Sequence, residues 1–318
     1  MKRVLWAILL AAPLAAQVRI AQHGIEYISV EIKGKPFTQF FCGPETNKPY
    51  LHPLRSASGK IVTRGYPMEE IPGEAHDHPH HRGLWFAHGD VNGFDFWGNE
   101  TRGGKFGRIV LVKINNLSGG KDSGLIDATF EWRDPAGDIF LTEARQMTFY
   151  GQAKNRVIDF DITLTARGKV VFGDTKEGTF ALRVASALEE PRSGTPAQPP
   201  RTGHILDSQG REGEKQIWGK RADWVDFYGV VDGEALGIAM FDHPSNPRHP
   251  TYWHARGYGL FAANIFGVHD FENDNSKDGS LTLAPGETLR FRYRLVIHPG
   301  DVRSAQIARL YQDYSTGR

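Results

Sequence analysis

The sequence predicts an all-β protein, a large and mostly antiparallel β-sandwich with one short C-terminal helix. Two observations carry this. Apolar residues recur with a period of two in run after run, as expected of strands with one buried and one polar face. Reversals built from Gly, Pro and Asp separate those runs. The chain has 318 residues, 40% of them hydrophobic, which is ample for a sizeable core.

Taken in order, the chain opens with Lys2 and Arg3, an apolar run from Val4 to Leu10, and Ala11-Ala12-Pro13-Leu14-Ala15-Ala16. This reads as a secretory signal cleaved after Ala16, so residues 1–16 are set aside and 17–318 form the expected single sandwich domain. The apolar run is too short to span a bilayer, and no later segment approaches that length, so no membrane insertion of the mature chain is expected. The expected location is the periplasm or outside the cell. Lys and Arg number 38 against 37 Asp and Glu, a formal charge of +1. That leaves no global field to hold a nucleic acid. Cys42 stands alone, which excludes an internal disulfide and a multi-cysteine metal site.

Strands follow from the alternation of Ile28, Val30 and Ile32; of Ile126, Ala128, Phe130 and Trp132; and of Ile158, Phe160, Ile162 and Leu164. Phe180, Leu182 and Val184 continue the pattern, and Leu289, Phe291, Tyr293, Leu295 and Ile297 give its longest instance. Asp134-Pro135-Ala136-Gly137, Asp232-Gly233 and Ala284-Pro285-Gly286 are expected hairpin turns. Residues 189–200 read as a loop excursion and the acidic run 270–278 as a solvated turn. The helix is placed at the C-terminus, with Asp301 as its cap and Ile307, Leu310, Tyr311 and Tyr314 on one face.

Function concentrates in two His-rich segments. Residues 76–89 hold five of the chain's 13 histidines and run on through Asp95 to Trp97; residues 242–254 contain Asp242, His243, Asn246, Arg248, His249, Trp253 and His254. Imidazole can donate a proton, accept one or bind a metal near neutrality. Two such loops on a rigid scaffold are expected to converge on one site.

The motifs Asp77-His78-Pro79-His80-His81-Arg82-Gly83, Val91-Asn92-Gly93-Phe94-Asp95-Phe96-Trp97, Lys176-Glu177-Gly178, Asp242-His243-Pro244-Ser245-Asn246-Pro247-Arg248-His249-Pro250 and Trp253-His254 resemble those of the PmoA-type family of secreted bacterial proteins, across essentially the whole mature chain. The segment from Gly279 to Thr288, with the strand after it, is similar to the end of a galactose-mutarotase-type supersandwich. The resemblance implies a small-molecule or oligomeric carbohydrate as partner and a carbohydrate-processing enzyme, whether epimerase, hydrolase, hydratase or lyase.

Such chemistry needs an acid and a base facing each other across a sugar. His81, His88, Glu177 and His243 are the candidate catalytic residues. Arg82, Trp97, Arg183, Asn246, His249, Trp253 and His254 are candidates for holding substrate, with Trp85 as a further platform. His78 and His80 flank Pro79, and in an extended segment would point to one side as ligands of a divalent ion such as zinc. This leaves a metal-dependent enzyme, or a non-catalytic carbohydrate-binding protein, as alternatives.

Overall fold

The computed structural model describes residues 17–99, 103–192 and 200–317. The expected signal segment, 1–16, and residues 193–199 of the 189–200 excursion lie outside the described residues. Two eight-stranded sheets form the body. Sheet one runs in the order β1 (Val18–His23), β2 (Tyr27–Ile32), β3 (Lys35–Phe41), β4 (Tyr50–His52), β5 (Leu84–His88), β11 (Gly178–Arg183), β16 (Leu260–Asn264) and β15 (Tyr252–Ala255). Sheet two runs β12 (His204–Asp207), β13 (Trp224–Val231), β14 (Glu234–Asp242), β18 (Thr288–Pro299), β9 (Arg156–Ala166), β8 (Ile139–Tyr150), β7 (Ser123–Arg133) and β6 (Arg108–Ser118). A separate ladder pairs β10 (Val170–Phe172) with β17 (Leu281–Leu283). The strand pairs are antiparallel, as the period of two requires.

The core lies between the sheets. Phe86 of sheet one meets Trp132 and Phe291 of sheet two at ring-centroid distances of 6.0 and 5.4 Å, and Phe180 stacks on Tyr293 at 4.5 Å. Phe40 meets Phe130 edge-on at 6.1 Å. Burying each such ring contributes about 1.5–3 kcal/mol, and Phe86→Ala should cost about 3–5 kcal/mol. A buried ion pair, Glu143 with Arg145, sits in this layer beside Phe86 and Phe130. Glu143 accepts hydrogen bonds from Trp132 Nε1 (2.7 Å) and Arg145 Nε (2.5 Å), so its charge is paired rather than stranded. Burial pushes the Cys42 thiol up to about 12, leaving it inert.

Three expectations change. β11 is buried on both faces, because loops cover the side that an ordinary alternating strand would show to water. The reversal at 284–286 forms, but β17 pairs with β10 while β18 pairs with β14 and β9, so it is no hairpin. The C-terminal helix, α3 (Ile307–Ser315), begins after Gln306 without a side-chain cap; Asp301 instead accepts from Ser304 N at 2.8 Å in the preceding turn. Its Ile307 and Tyr314 pack on Phe241, Val157 and Val296, covering the outer face of sheet two. Two shorter helices, α1 (Glu214–Ile217) and α2 (Val268–Glu272), lie in connections. No helix among the described residues is long and apolar enough to cross a membrane.

Candidate functional site

The site grows from the outer face of sheet one. Residues directly opposite each other on paired strands point to the same face. Register places Trp85 (β5) beside Ala181 (β11), Ala181 beside Ala262 (β16), and Ala262 beside His254 (β15). Two alanines between two large rings lower the floor there. Loops build up around it, and His78, His80, His81, Asp95, Trp97, Gly98, Lys176, Glu177, His254, Arg256 and Tyr258 enclose a cleft of about 490 Å³.

The His78–Gly83 loop is fixed by buried charge. Arg64, fully buried, donates to the carbonyls of Asp77 and His78 (both 2.9 Å) and to Asp77 Oδ1 (2.7 Å). Arg183 Nη2 lies 3.0 Å from the same carboxylate oxygen. Burial alone would raise the Asp77 carboxyl, but His78, Arg183 and Arg64 together hold it well below the usual range. The chain then turns back to β5 through Gly83 at φ +52°, where a Cβ would stand 2.1 Å from the Leu51 carbonyl oxygen. Only glycine fits that position.

This fixed loop stacks its rings into a column. His78 lies between Tyr258 (5.5 Å) and His81 (4.8 Å), and His81 continues onto Trp85 (5.3 Å). Arg183 Nη1 donates to His81 Nδ1 at 3.3 Å. A guanidinium can only donate, so His81 is neutral and keeps its proton on Nε2, which is buried and has no hydrogen-bond partner among the described residues. Burial, then His80 and Arg183, push this imidazole well below its ordinary value. Burial and Lys48 push His80 down to about 3. His254 takes the opposite tautomer. Its Nδ1 donates to the Lys176 carbonyl (3.1 Å), leaving the lone pair on Nε2, and burial lowers it to about 4.

Glu177 stands immediately before β11 on a tightly held segment. His88 Nε2 donates to the Gly173 carbonyl (2.8 Å), Asn264 Nδ2 to that of Thr175 (2.9 Å), and Lys176 N to Asp270 Oδ2 (3.0 Å). Asp270 therefore anchors this segment; the acidic run is not simply a solvated turn. At Gly89 a Cβ would come 2.8 Å from Glu177 Cβ, so its absence lets the two segments touch. Opposite, Asp95 Oδ1 accepts from the amides of Trp97 and Gly98, both at 2.7 Å. Burial raises its carboxyl above the ordinary value despite those bonds.

Of the residues singled out from sequence, His78, His80, His81, Glu177, Trp97 and His254 meet in this cleft, with Arg183 directly behind His81. The others sit elsewhere. His88 is fully buried beneath it, packed on Phe266 at 4.4 Å. Trp253 points into the sandwich and donates to the Ala222 carbonyl (2.9 Å), since alternation on β15 lets only one of Trp253 and His254 face outward. His243, Asn246 and His249 brace a turn around buried Asp242, which accepts from Asn246 Nδ2 (2.7 Å), His249 Nδ1 (2.7 Å) and Thr251 N (2.9 Å). His243 Nδ1 accepts from Ser245 N at 3.0 Å. Arg82 lies over the Tyr50 ring at 5.7 Å rather than in the cleft. The expectation that the two His-rich segments converge thus holds only for His254.

The extended His78–His80 geometry is not found either. His78 has φ +45° and its carbonyl accepts from His81 N (3.0 Å), so the segment is a turn, with the two rings at 71°. Among the described residues no group of three or more His, Cys, Asp or Glu side chains is arranged to hold a metal ion. Sequence reasoning passed over Arg64, Asp95, Arg256 and Tyr258. Asp95 at least lay inside the first aromatic-rich stretch; the other three carry no local signal.

A model described as a family of unknown function, DUF6807, matches residues 27–312. The chain belongs to that family. A search of curated proteins finds no match. Among solved structures, this member is similar to a galactose mutarotase-like protein from Clostridium acetobutylicum (11% identity, 89% of this chain and 99% of that one, TM-score 0.43). It is also similar to galactose 1-epimerase from Lactobacillus acidophilus (8% identity, 90% and 100%, TM-score 0.41). A third likeness is to the GH36 α-galactosidase AgaB from Geobacillus stearothermophilus (9% identity, 89% and 41%, TM-score 0.39). At such identities and scores none of these transfers an activity or a residue role.

Proposed function

We propose that the cleft binds a sugar or sugar derivative and moves protons on it, making the protein an exported carbohydrate-active enzyme. One observation supports this above the rest: a single cleft gathers two carboxylates, neutral imidazoles held in fixed tautomers, and the rings of Trp97 and Tyr258. A polyhydroxylated ring needs many oriented donors and acceptors together with a flat apolar wall. The buried imidazoles do not change charge near neutrality, so they serve as fixed hydrogen-bonding groups. Proton transfer then falls to the carboxylates. Asp95 and Glu177, the two carboxylates that line the cleft, are the pair placed to exchange protons with the substrate. The kinship to PmoA-type proteins and export through residues 1–16 belong to the same proposal; material from the native host should begin at Gln17.

The test is a panel of hexoses, pentoses, uronic acids and their glycosides, followed by NMR for binding and for conversion. Glu177→Gln and Asp95→Asn should each reduce turnover by about 10²–10⁴ while ligand is still bound. Depressed imidazoles favour one second reading, a binding protein without turnover. Wild-type protein that binds a sugar and releases it unchanged would establish that reading, and no binding across the panel would overturn both.

A further inference from the structure

The row of residues that forms the cleft floor does not stop at Trp85. Register carries it on to Tyr50 (β4), Phe41 (β3), Tyr27 (β2) and His23 (β1), all on the outer face of sheet one. Successive rings touch: His23 and Tyr27 at 4.6 Å, Tyr27 and Phe41 at 5.6 Å, Phe41 and Tyr50 at 5.0 Å. The sandwich core is on the opposite face, so packing between the sheets does not call for aromatic rings here. Exposure grows along the row. Trp85 lies beneath His81 and Tyr50 beneath Arg82, whereas Phe41 and Tyr27 are half-buried and His23 is exposed. Beside the exposed end runs a groove of about 410 Å³ whose polar lining includes Ser29, Glu31, Gln39 and Arg55.

We infer that the cleft's ligand is an oligosaccharide, whose further units lie along this aromatic row and its polar groove, with Arg82 at the junction. The inference rests on the carbohydrate reading of the cleft. A glycan is a chain of rings with apolar C–H surfaces and projecting hydroxyls, and this surface offers both complements side by side. Adjacent strands are spaced by about 4.8 Å, comparable to the advance of an extended glycan per residue. Four such spacings separate Trp85 from His23, roughly 19 Å, which is room for about four units beyond the cleft. A monosaccharide would leave the row without a role.

The probes are size-graded oligosaccharides of one to six units from β-galactan, xylan and polygalacturonate, with affinity measured by calorimetry on the full chain. Affinity should rise with length through about five units and then level. The double variant Tyr27→Ala/Phe41→Ala should weaken binding of the longest probe by roughly tenfold and leave monosaccharide binding unchanged. Gln39→Ala, which removes no ring packing, should give a smaller loss with the same dependence on length and decides the matter if the double variant does not fold. Affinity independent of length, or equal losses for short and long probes, would overturn the inference while leaving the cleft reading in place. Binding of no sugar at any length would overturn the cleft reading, and this inference with it.

Discussion

In residues 76–89 the imidazoles of His78, His80 and His81 line an open cleft, and the charges that hold them come from outside the segment, Arg64 in the preceding connection and Arg183 on β11. In residues 242–254 the order is reversed: a fully buried carboxylate, Asp242, gathers Asn246, His249 and Thr251 around itself, and only His254 looks into the cleft. Composition does not separate these segments. What separates them is the direction of the hydrogen bonds. Side chains that serve their own loop are structural, whereas those fixed from outside the loop are free to present an edge to a ligand.

The comparison can be broken most directly by two truncations of similar size. Arg64→Ala removes the donor to the carbonyls of Ala75, Asp77, His78 and His81 and to the Asp77 carboxylate, leaving that carboxylate to Arg183 and His78; it should cost about 3–5 kcal/mol and abolish sugar binding even in the folded fraction. Asp242→Ala leaves three donors without their acceptor and should cost a similar amount, about 3–5 kcal/mol, yet folded molecules should bind normally. Denaturation midpoints paired with binding per folded molecule read both, and a loss of binding in the second variant would erase the distinction.

A pH series sharpens the same point. His52, His88 and His254 are held near 4 and His80 near 3 by burial, against about 6.5 in an unfolded chain. Between those values the unfolded state binds more protons, so stability should fall as pH drops from about 6.5 towards 4. His298 runs the other way. Burial lowers it, but Asp226 more than offsets this, so its contribution is present below pH 6.5 and fades as pH rises through its folded value. The contributions of His80, His81 and His254 to ligand affinity should stay constant from pH 5.5 to 8; an affinity loss in His254→Ala that varies across that range would mean that His254 titrates there.

Smaller effects are expected from His254→Ala and Gly89→Ala. The first deletes one hydrogen bond to the Lys176 carbonyl, worth about 1 kcal/mol of stability, and should weaken binding by tenfold or more. The second pushes on Glu177 Cβ and on the Glu177 carbonyl that accepts from Gly89 N, so it should lower turnover and also cost about 1–3 kcal/mol of stability.

Much of the fold was legible, because a period of two is written locally: β2 and β7 follow it residue by residue, and β9 and β18 follow it except at 156–158 and 295–298, where consecutive residues are buried. The site was legible in part. Alternation alone would have shown that Trp253 and His254 cannot both face the cleft, but not which one does, since that depends on which neighbour the strand meets. His78 and His80 failed as an extended pair because the turn that bends them is enforced by Arg64, many residues upstream and without any local mark. The aromatic row was invisible for the same reason: its members are adjacent only through strand pairing, and the sequence scatters them from position 23 to position 85.

The Arg64–Asp77–Arg183 tie has a thermodynamic consequence for recognition. A wall that had to be ordered by its ligand would cost about 0.5–1.5 kcal/mol for each side chain immobilised. Here the loop's carbonyls are already held by a buried guanidinium, so that entropy is spent during folding. Ligands then meet a rigid surface. Selection should show itself as refusal of mismatched stereochemistry, with nearly identical wall geometry in the free and occupied protein, rather than as closure around whatever arrives.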